Sequence, residues 1–143
     1  MTTSASSARV RELAASDADA IVALWEQAGL TRPWNPPHAD VALALSGPSS
    51  VILGIRDGDA LVATALAGHD GHRGWLYYLA VAATHRGTGL AREVVTAGES
   101  WLRAQGVRKV QLMVRDGNPA LGLYEHLGYE RQDVAVLGRW LDA

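Results

Sequence analysis

Arg86-Gly87-Thr88-Gly89-Leu90-Ala91 is the stretch of this chain whose residue types and spacing could do chemistry. Two glycines so close together let a backbone turn tightly and approach a ligand closely. The residues that follow place Leu90, Val94, Ala97 and Trp101 on one face of a long helix ending near Gly106. A helix starting here aims unpaired N–H groups and its positive dipole end at the loop, which suits a phosphate. The same glycines could equally serve only to make a turn. Two common phosphate-binding patterns do not fit. No Lys-Ser/Thr follows, and the three-glycine dinucleotide pattern is incomplete.

Such a loop needs a strand before it and a sheet beneath it, and the chain supplies both. A strand from Ala8 to Leu13 is expected first, then a helix capped by Ser16, with Asp17 and Asp19 in its first turn. Ile21, Leu24, Trp25 and Ala28 give that helix one apolar face, and Gly29 stops it. The stiff loop from Thr31 to Pro37 leads into a shorter helix, His38 to Ser46. Val51 to Ile55, a turn at Asp57-Gly58, and Ala60 to Ala67 read as a hairpin. A polar turn, Gly68 to Gly74, precedes an aromatic-rich strand, Trp75 to Val81. Beyond the long helix, Val107 to Arg115 alternates as a half-buried strand. A short helix, Pro119 to Leu127, and a last strand or hairpin, Tyr129 to Trp140, complete the chain. The expected order is β-α-α-β-β-β-α-β-α-β, with a second terminal strand if the end is a hairpin. That is one mixed α/β domain from residue 8 to 143, behind a floppy tail at residues 1–7.

Two segments then carry a resemblance. Arg86, Gly89 and Ala91 fill the fixed positions of Arg/Gln-x-x-Gly-x-Gly/Ala. This pattern resembles the acetyl-coenzyme A binding motif of the GCN5-related N-acetyltransferases (GNAT). About thirty residues on, Asn118-Pro119-Ala120-Leu121-Gly122-Leu123-Tyr124-Glu125-His126-Leu127-Gly128-Tyr129 is similar to that family's second signature, Asn…Ala…Leu-Tyr-Glu-x-x-Gly-Phe/Tyr. The element order matches from Ala8 to the C-terminus, so the resemblance covers nearly the whole chain. It implies a mixed, mainly antiparallel sheet flanked by helices.

The resemblance also implies roles. The backbone of Arg86, Gly87, Thr88, Gly89, Leu90 and Ala91 would hold the pyrophosphate of acetyl-CoA. Trp75 to Val81 would splay from the next strand, and the pantetheine arm would pair with Leu79, Ala80 and Val81 as an added strand. A backbone N–H near Leu79 or Ala80 would polarise the thioester carbonyl. Tyr124 would be the general acid; as a plain helix residue it would pack beside Leu123 and Leu127. Asn118 is expected to cap its helix ahead of Pro119, and to touch the cofactor. Its spacing to Tyr124 is six residues where the family often has seven.

Many relatives place a glutamate on the fourth or fifth strand as the base. Tyr77, Tyr78 and Met113 stand there instead. Asp70 and His72 become the leading bases, ahead of His69 and His85. The acceptor wall would be built by Arg32 and Trp34 of the proline-rich loop with Tyr77 and Tyr78.

Composition narrows the classes further. Thirteen basic against fifteen acidic residues give a net charge of −2, which argues against a bulk electrostatic nucleic-acid binder. The absence of cysteine removes a thiol nucleophile and thiolate-metal sites, and no metal is expected. No apolar run has the length of a membrane span, and the first residues do not form a secretory signal, so the cytoplasm is the expected compartment. The reading is an acetyltransferase that moves an acetyl group by direct attack of a primary amine, on a small molecule or peptide. A homodimer is compatible with it. A CoA-binding module without turnover and a plain α/β domain that binds no CoA are the alternatives.

Overall fold

Dense β-forming runs make the centre of the sheet. In the computed structural model, which describes residues 9–142, they form β2 (Ser50–Asp57), β3 (Ala60–His69) and β4 (Gly74–Val81), each antiparallel to the next. The expected tail at residues 1–7 and Ala8 of the expected first strand lie outside the described residues. β1 (Arg11–Glu12) lines the β2 edge, and β5 (Val110–Gln111) pairs parallel with β4, so the order is β1-β2-β3-β4-β5. The mixed, mainly antiparallel sheet flanked by helices is the expected architecture, with five strands among the described residues in place of the six or seven expected.

Helices cover both faces. α1 (Ala18–Gln27) buries Ile21, Val22, Leu24 and Trp25, and α2 (Pro37–Ala44) packs beside it. On the other face α3 (Leu90–Ala104) buries Leu90, Val94, Val95 and Leu102. α3 lies so close to the sheet that a Cβ on Gly98 would stand 2.9 Å from a methyl of Leu76. β2 is buried along Val51–Ile55 because both faces are covered, which explains its unbroken apolar run.

Among the described residues, one polar side chain is fully buried in this core. Thr64 accepts from the Trp25 indole Nε1 at 3.0 Å, and its own hydroxyl donates to the Tyr78 carbonyl at 3.0 Å. Thr64→Val keeps the shape but leaves the indole donor buried and unpaired. We expect it to cost about 1–3 kcal/mol, read as a lower midpoint in denaturant with an unchanged slope.

Several boundaries differ from expectation. Ser16 does not cap α1. A 3₁₀ turn, Ala15–Asp17, intervenes, and Asp17 Oδ2 accepts the Ala14 N–H at 2.8 Å and pairs with Arg56. The first strand shortens to Arg11–Glu12, which are the residues with partners in β2. The fifth strand shortens to Val110–Gln111, because only Gly74 and Trp75 of β4 pair with it.

The chain divides between Met113 and Val114 into two compact units. The second contains α4 (Ala120–His126). Its expected final strand is not formed: among the described residues 129–142 there is no strand, and Val134, Val136, Leu137, Trp140 and Leu141 are exposed. β-forming residues such as Val134 and Val136 express only a propensity, and a strand requires a partner to pair with.

Candidate active site

The loop that carries the first signature starts where β4 ends. Ala82 N–H closes on the Val62 carbonyl at 2.8 Å, and a 3₁₀ turn, Ala83–His85, follows. His85 pins this turn to the β2–β3 hairpin, with Nε2 2.8 Å from Asp57 Oδ2 and Nδ1 2.7 Å from Thr84 Oγ1. The Thr88 hydroxyl donates back to the His85 carbonyl.

Gly87 and Gly89 adopt φ of +77° and +86°, the left-handed region that side chains resist. A Cβ on either would meet nothing within 4 Å, so the loop presents bare backbone to open space. Gly89 is the N-cap of the fifteen-residue α3, and no side chain caps it. Buried Leu90 fixes where the helix begins. The residues fit an anionic group: exposed backbone at a helix start, with room where side chains would otherwise stand.

β4 parts from β5 as the resemblance implied, and it carries one feature that a strand from Trp75 to Val81 did not foretell. Beyond Trp75 it has no strand partner on its β5 side among the described residues, so Leu76 to Val81 form an open edge. Against β3 the register slips: Thr64 faces Ala80 while Leu66 faces Tyr77. Tyr78 and Leu79 therefore oppose Ala65 alone, a bulge that disrupts the ladder. Tyr78 has φ +52°, the only positive φ outside glycine among the described residues.

Expected acceptor residues separate on inspection. Trp34 is 58% exposed, and Tyr77 is exposed and stacks along β4 on Trp75. Burial, then the negative charge of Asp70, raises the Tyr77 phenol above its ordinary value. Arg32 spends its guanidinium on the carbonyls of Gly29 and Thr31, at 2.9 and 2.8 Å. The Tyr78 ring does not join Tyr77; it stacks on Trp25 at 3.7 Å and donates its phenol to Asp40 Oδ2 at 2.6 Å. Burial and that bond push its phenol upward.

Asp70 and His72 share the turn before β4. Asp70 Oδ1 accepts the N–H groups of Arg73 and His72 at 2.8 and 2.9 Å, and these bonds hold its carboxyl below the usual range. A carboxylate so stabilised is a poorer base than its residue type suggests. His72 is exposed. His69 bonds the Gly71 N–H at 3.2 Å through Nδ1, within the same turn.

In the second unit the spacing of the second signature has a physical cause. Asn118 Oδ1 accepts the Ala120 N–H at 2.9 Å, the capping role expected of it, although the first helical residue is Ala120. At the other end Gly128 N–H reaches the Glu125 carbonyl at 3.1 Å, and Tyr129 N–H reaches the Tyr124 carbonyl at 3.0 Å. This is the paired-bond helix stop that places glycine one residue past the cap. Its accompanying side-chain contact is Tyr124 against Tyr129, edge to face at 5.9 Å. Tyr124 is thus oriented by the helix end, and burial pushes its phenol up to about 12.

Asn35 and Asp40 were not singled out by sequence. Asn35 Nδ2 donates to Asp40 Oδ2 at 2.6 Å and to the Tyr78 hydroxyl at 3.1 Å. A polar Thr64 in the otherwise apolar run Ala60–Ala67 was the available signal that something polar lay beneath β4.

The comparisons agree on one family. The sequence model of the acetyltransferase (GNAT) family matches residues 18–129. An acetyltransferase of Yersinia enterocolitica is 39% identical over 133 residues, covering 92% of this chain and 94% of that protein. One of Pectobacterium atrosepticum is 38% identical with the same coverage. Among solved structures, an aminoglycoside N-acetyltransferase in complex with CoA superposes with a TM-score of 0.79 at 16% identity, covering 92% of this chain and 93% of that one. A predicted acetyltransferase from Clostridium acetobutylicum, with acetyl-CoA, gives 0.78 at 14% identity, covering 94% and 97%.

Proposed function

This chain belongs to the GNAT acetyltransferase family, and from that membership we propose that it transfers the acetyl group of acetyl-CoA to a primary amine. The acceptor is a small molecule or a peptide. The observation that carries the reading is the loop at Gly87 and Gly89, whose left-handed glycines leave bare backbone at the start of α3.

Bound there, acetyl-CoA supplies a thioester carbonyl open to direct attack by an amine. Backbone N–H groups from Arg86 to Ala91 bind its pyrophosphate. The open edge of β4 at Leu79, Ala80 and Val81 pairs with the pantetheine arm, and a backbone N–H at the bulge donates to the carbonyl oxygen. The Tyr124 phenol donates toward the departing thiolate sulfur. Of the two expected bases, His72 suits proton removal from the amine better than Asp70, whose carboxyl is stabilised by its own turn. Trp34 and Tyr77 offer exposed aromatic surface to the acceptor.

The test starts from the thermal midpoint with and without acetyl-CoA. Ligand at a hundred times its dissociation constant adds about 2.7 kcal/mol, a rise of roughly 5–10 °C for a domain of this size. Free-thiol release is then followed across primary amines of small molecules and peptide N-termini. A rise with amine-dependent thiol release is the expected result. No rise at millimolar acetyl-CoA sinks the reading, and a rise without thiol release from any amine makes the chain a CoA-binding module.

A further inference from the structure

Tyr78 is held in an unfavourable backbone state by groups from three other elements. A tyrosine at φ +52° pays for the clash of its Cβ with the backbone, and such residues persist only where the surroundings over-determine them. Here its carbonyl, its ring and its phenol are each restrained. Its carbonyl accepts from Thr64 of β3, its ring lies flat on Trp25 of α1, and its phenol donates to Asp40 of α2. Asn35, from the loop between those helices, bonds both the phenol and Asp40.

We propose that Asp40 and Asn35 are positioning residues. By clamping the Tyr78 phenol they hold the bulge at Tyr78–Leu79, and so fix the direction of the backbone N–H that meets the thioester carbonyl. The inference rests on the proposed reaction for its kinetic consequence. It does not rest on that reaction for the clamp itself. Asn35 belongs to the proline-rich loop expected beside the acceptor, so the clamp also joins that loop to the bulge.

Glycine adopts positive φ without help, and alanine does not. If the clamp exists to impose φ, Tyr78→Gly keeps the bulge and Tyr78→Ala loses it. If the ring only fills space against Trp25, both lose the same packing, and glycine is no better than alanine. We expect Tyr78→Ala to lower kcat about 30- to 100-fold, since small misplacement of a polarising donor has effects of that order. Tyr78→Gly should exceed Tyr78→Ala in kcat by about tenfold, a ratio set by the same misplacement. The dissociation constant for acetyl-CoA, measured by calorimetry, should differ between the two by less than about threefold, because the Gly87–Gly89 loop is untouched.

Asp40 gives a second route that spares the packed ring. Asp40→Ala should lower kcat about tenfold, and Asp40→Asn should restore most of it, because its amide oxygen still accepts from the phenol. Backbone chemical shifts of Leu79 and Ala80 in the unliganded protein supply a readout independent of turnover. They should match wild type in Asp40→Asn and depart from it in Asp40→Ala, two variants that leave the Tyr78 ring in place. Equal loss in the glycine and alanine variants, or wild-type shifts in Asp40→Ala, overturns the clamp. A wild-type protein without thiol release overturns the reaction instead, and the shifts still decide the clamp.

Discussion

Gly89→Val is expected to raise the dissociation constant for acetyl-CoA at least about a hundredfold, because it damages the loop in two ways. A β-branched residue at φ +86° is strongly disfavoured, so the loop leaves the conformation that presents its N–H groups. Any variant that did keep the conformation would place its side chain in the open space beside the helix start, where a Cβ meets nothing within 4 Å. Gly106 is the control. It has φ +87° with equally open surroundings, and it lies beyond the far end of α3. Gly106→Val should therefore lower the thermal midpoint much as Gly89→Val does, yet leave calorimetric affinity within about twofold of wild type, since backbone strain alone changes folding and not the site. Equal affinity losses in both variants would mean that strain, and not the loop, sets binding.

Those glycines illustrate which parts of the molecule could be read in advance. Arg86 to Ala91 was legible because helix-start geometry is local: a few residues decide φ, and glycine marks where side chains are refused. The helix stop at Gly128 was legible for the same reason, and it accounts for the fixed step from Tyr124 to Tyr129. The bulge in β4 was not. Nothing in Trp75 to Val81 marks Tyr78 as the residue with positive φ, because the cause lies in Trp25, Thr64 and Asp40, between 14 and 53 positions away. Strand lengths failed similarly. Val107–Arg115 alternates along its length, but only Val110 and Gln111 find partners in β4. Asp70 lies in a turn that was expected, but the two N–H groups that lower its carboxyl come from how the backbone of His72 and Arg73 closes on it, which residue types alone do not give.

Tyr124→Phe should lower kcat about 10- to 100-fold, with acetyl-CoA affinity nearly unchanged. The size follows from the phenol itself. Burial raises it to about 12, above an ordinary thiol near 8.5, so complete proton transfer to a thiolate is uphill. In the proposed reaction the hydroxyl would therefore act by hydrogen bonding to sulfur as negative charge develops, which places the expected effect in the lower part of the range for acid catalysis. The same shift sets a pH dependence. Wild-type kcat should show no loss from this group at the ordinary tyrosine value of 10, and should lose its contribution only near 12. For stability the folded value exceeds the unfolded one, so the contribution is fully present below about pH 10 and fades as pH rises through about 12. Tyr124→Phe, which cannot ionise, should flatten that alkaline decline in the denaturation midpoint. Kinetics and stability thus test separate properties of one hydroxyl: unchanged kcat in the phenylalanine variant removes Tyr124 from the reaction, even if the alkaline decline flattens as expected.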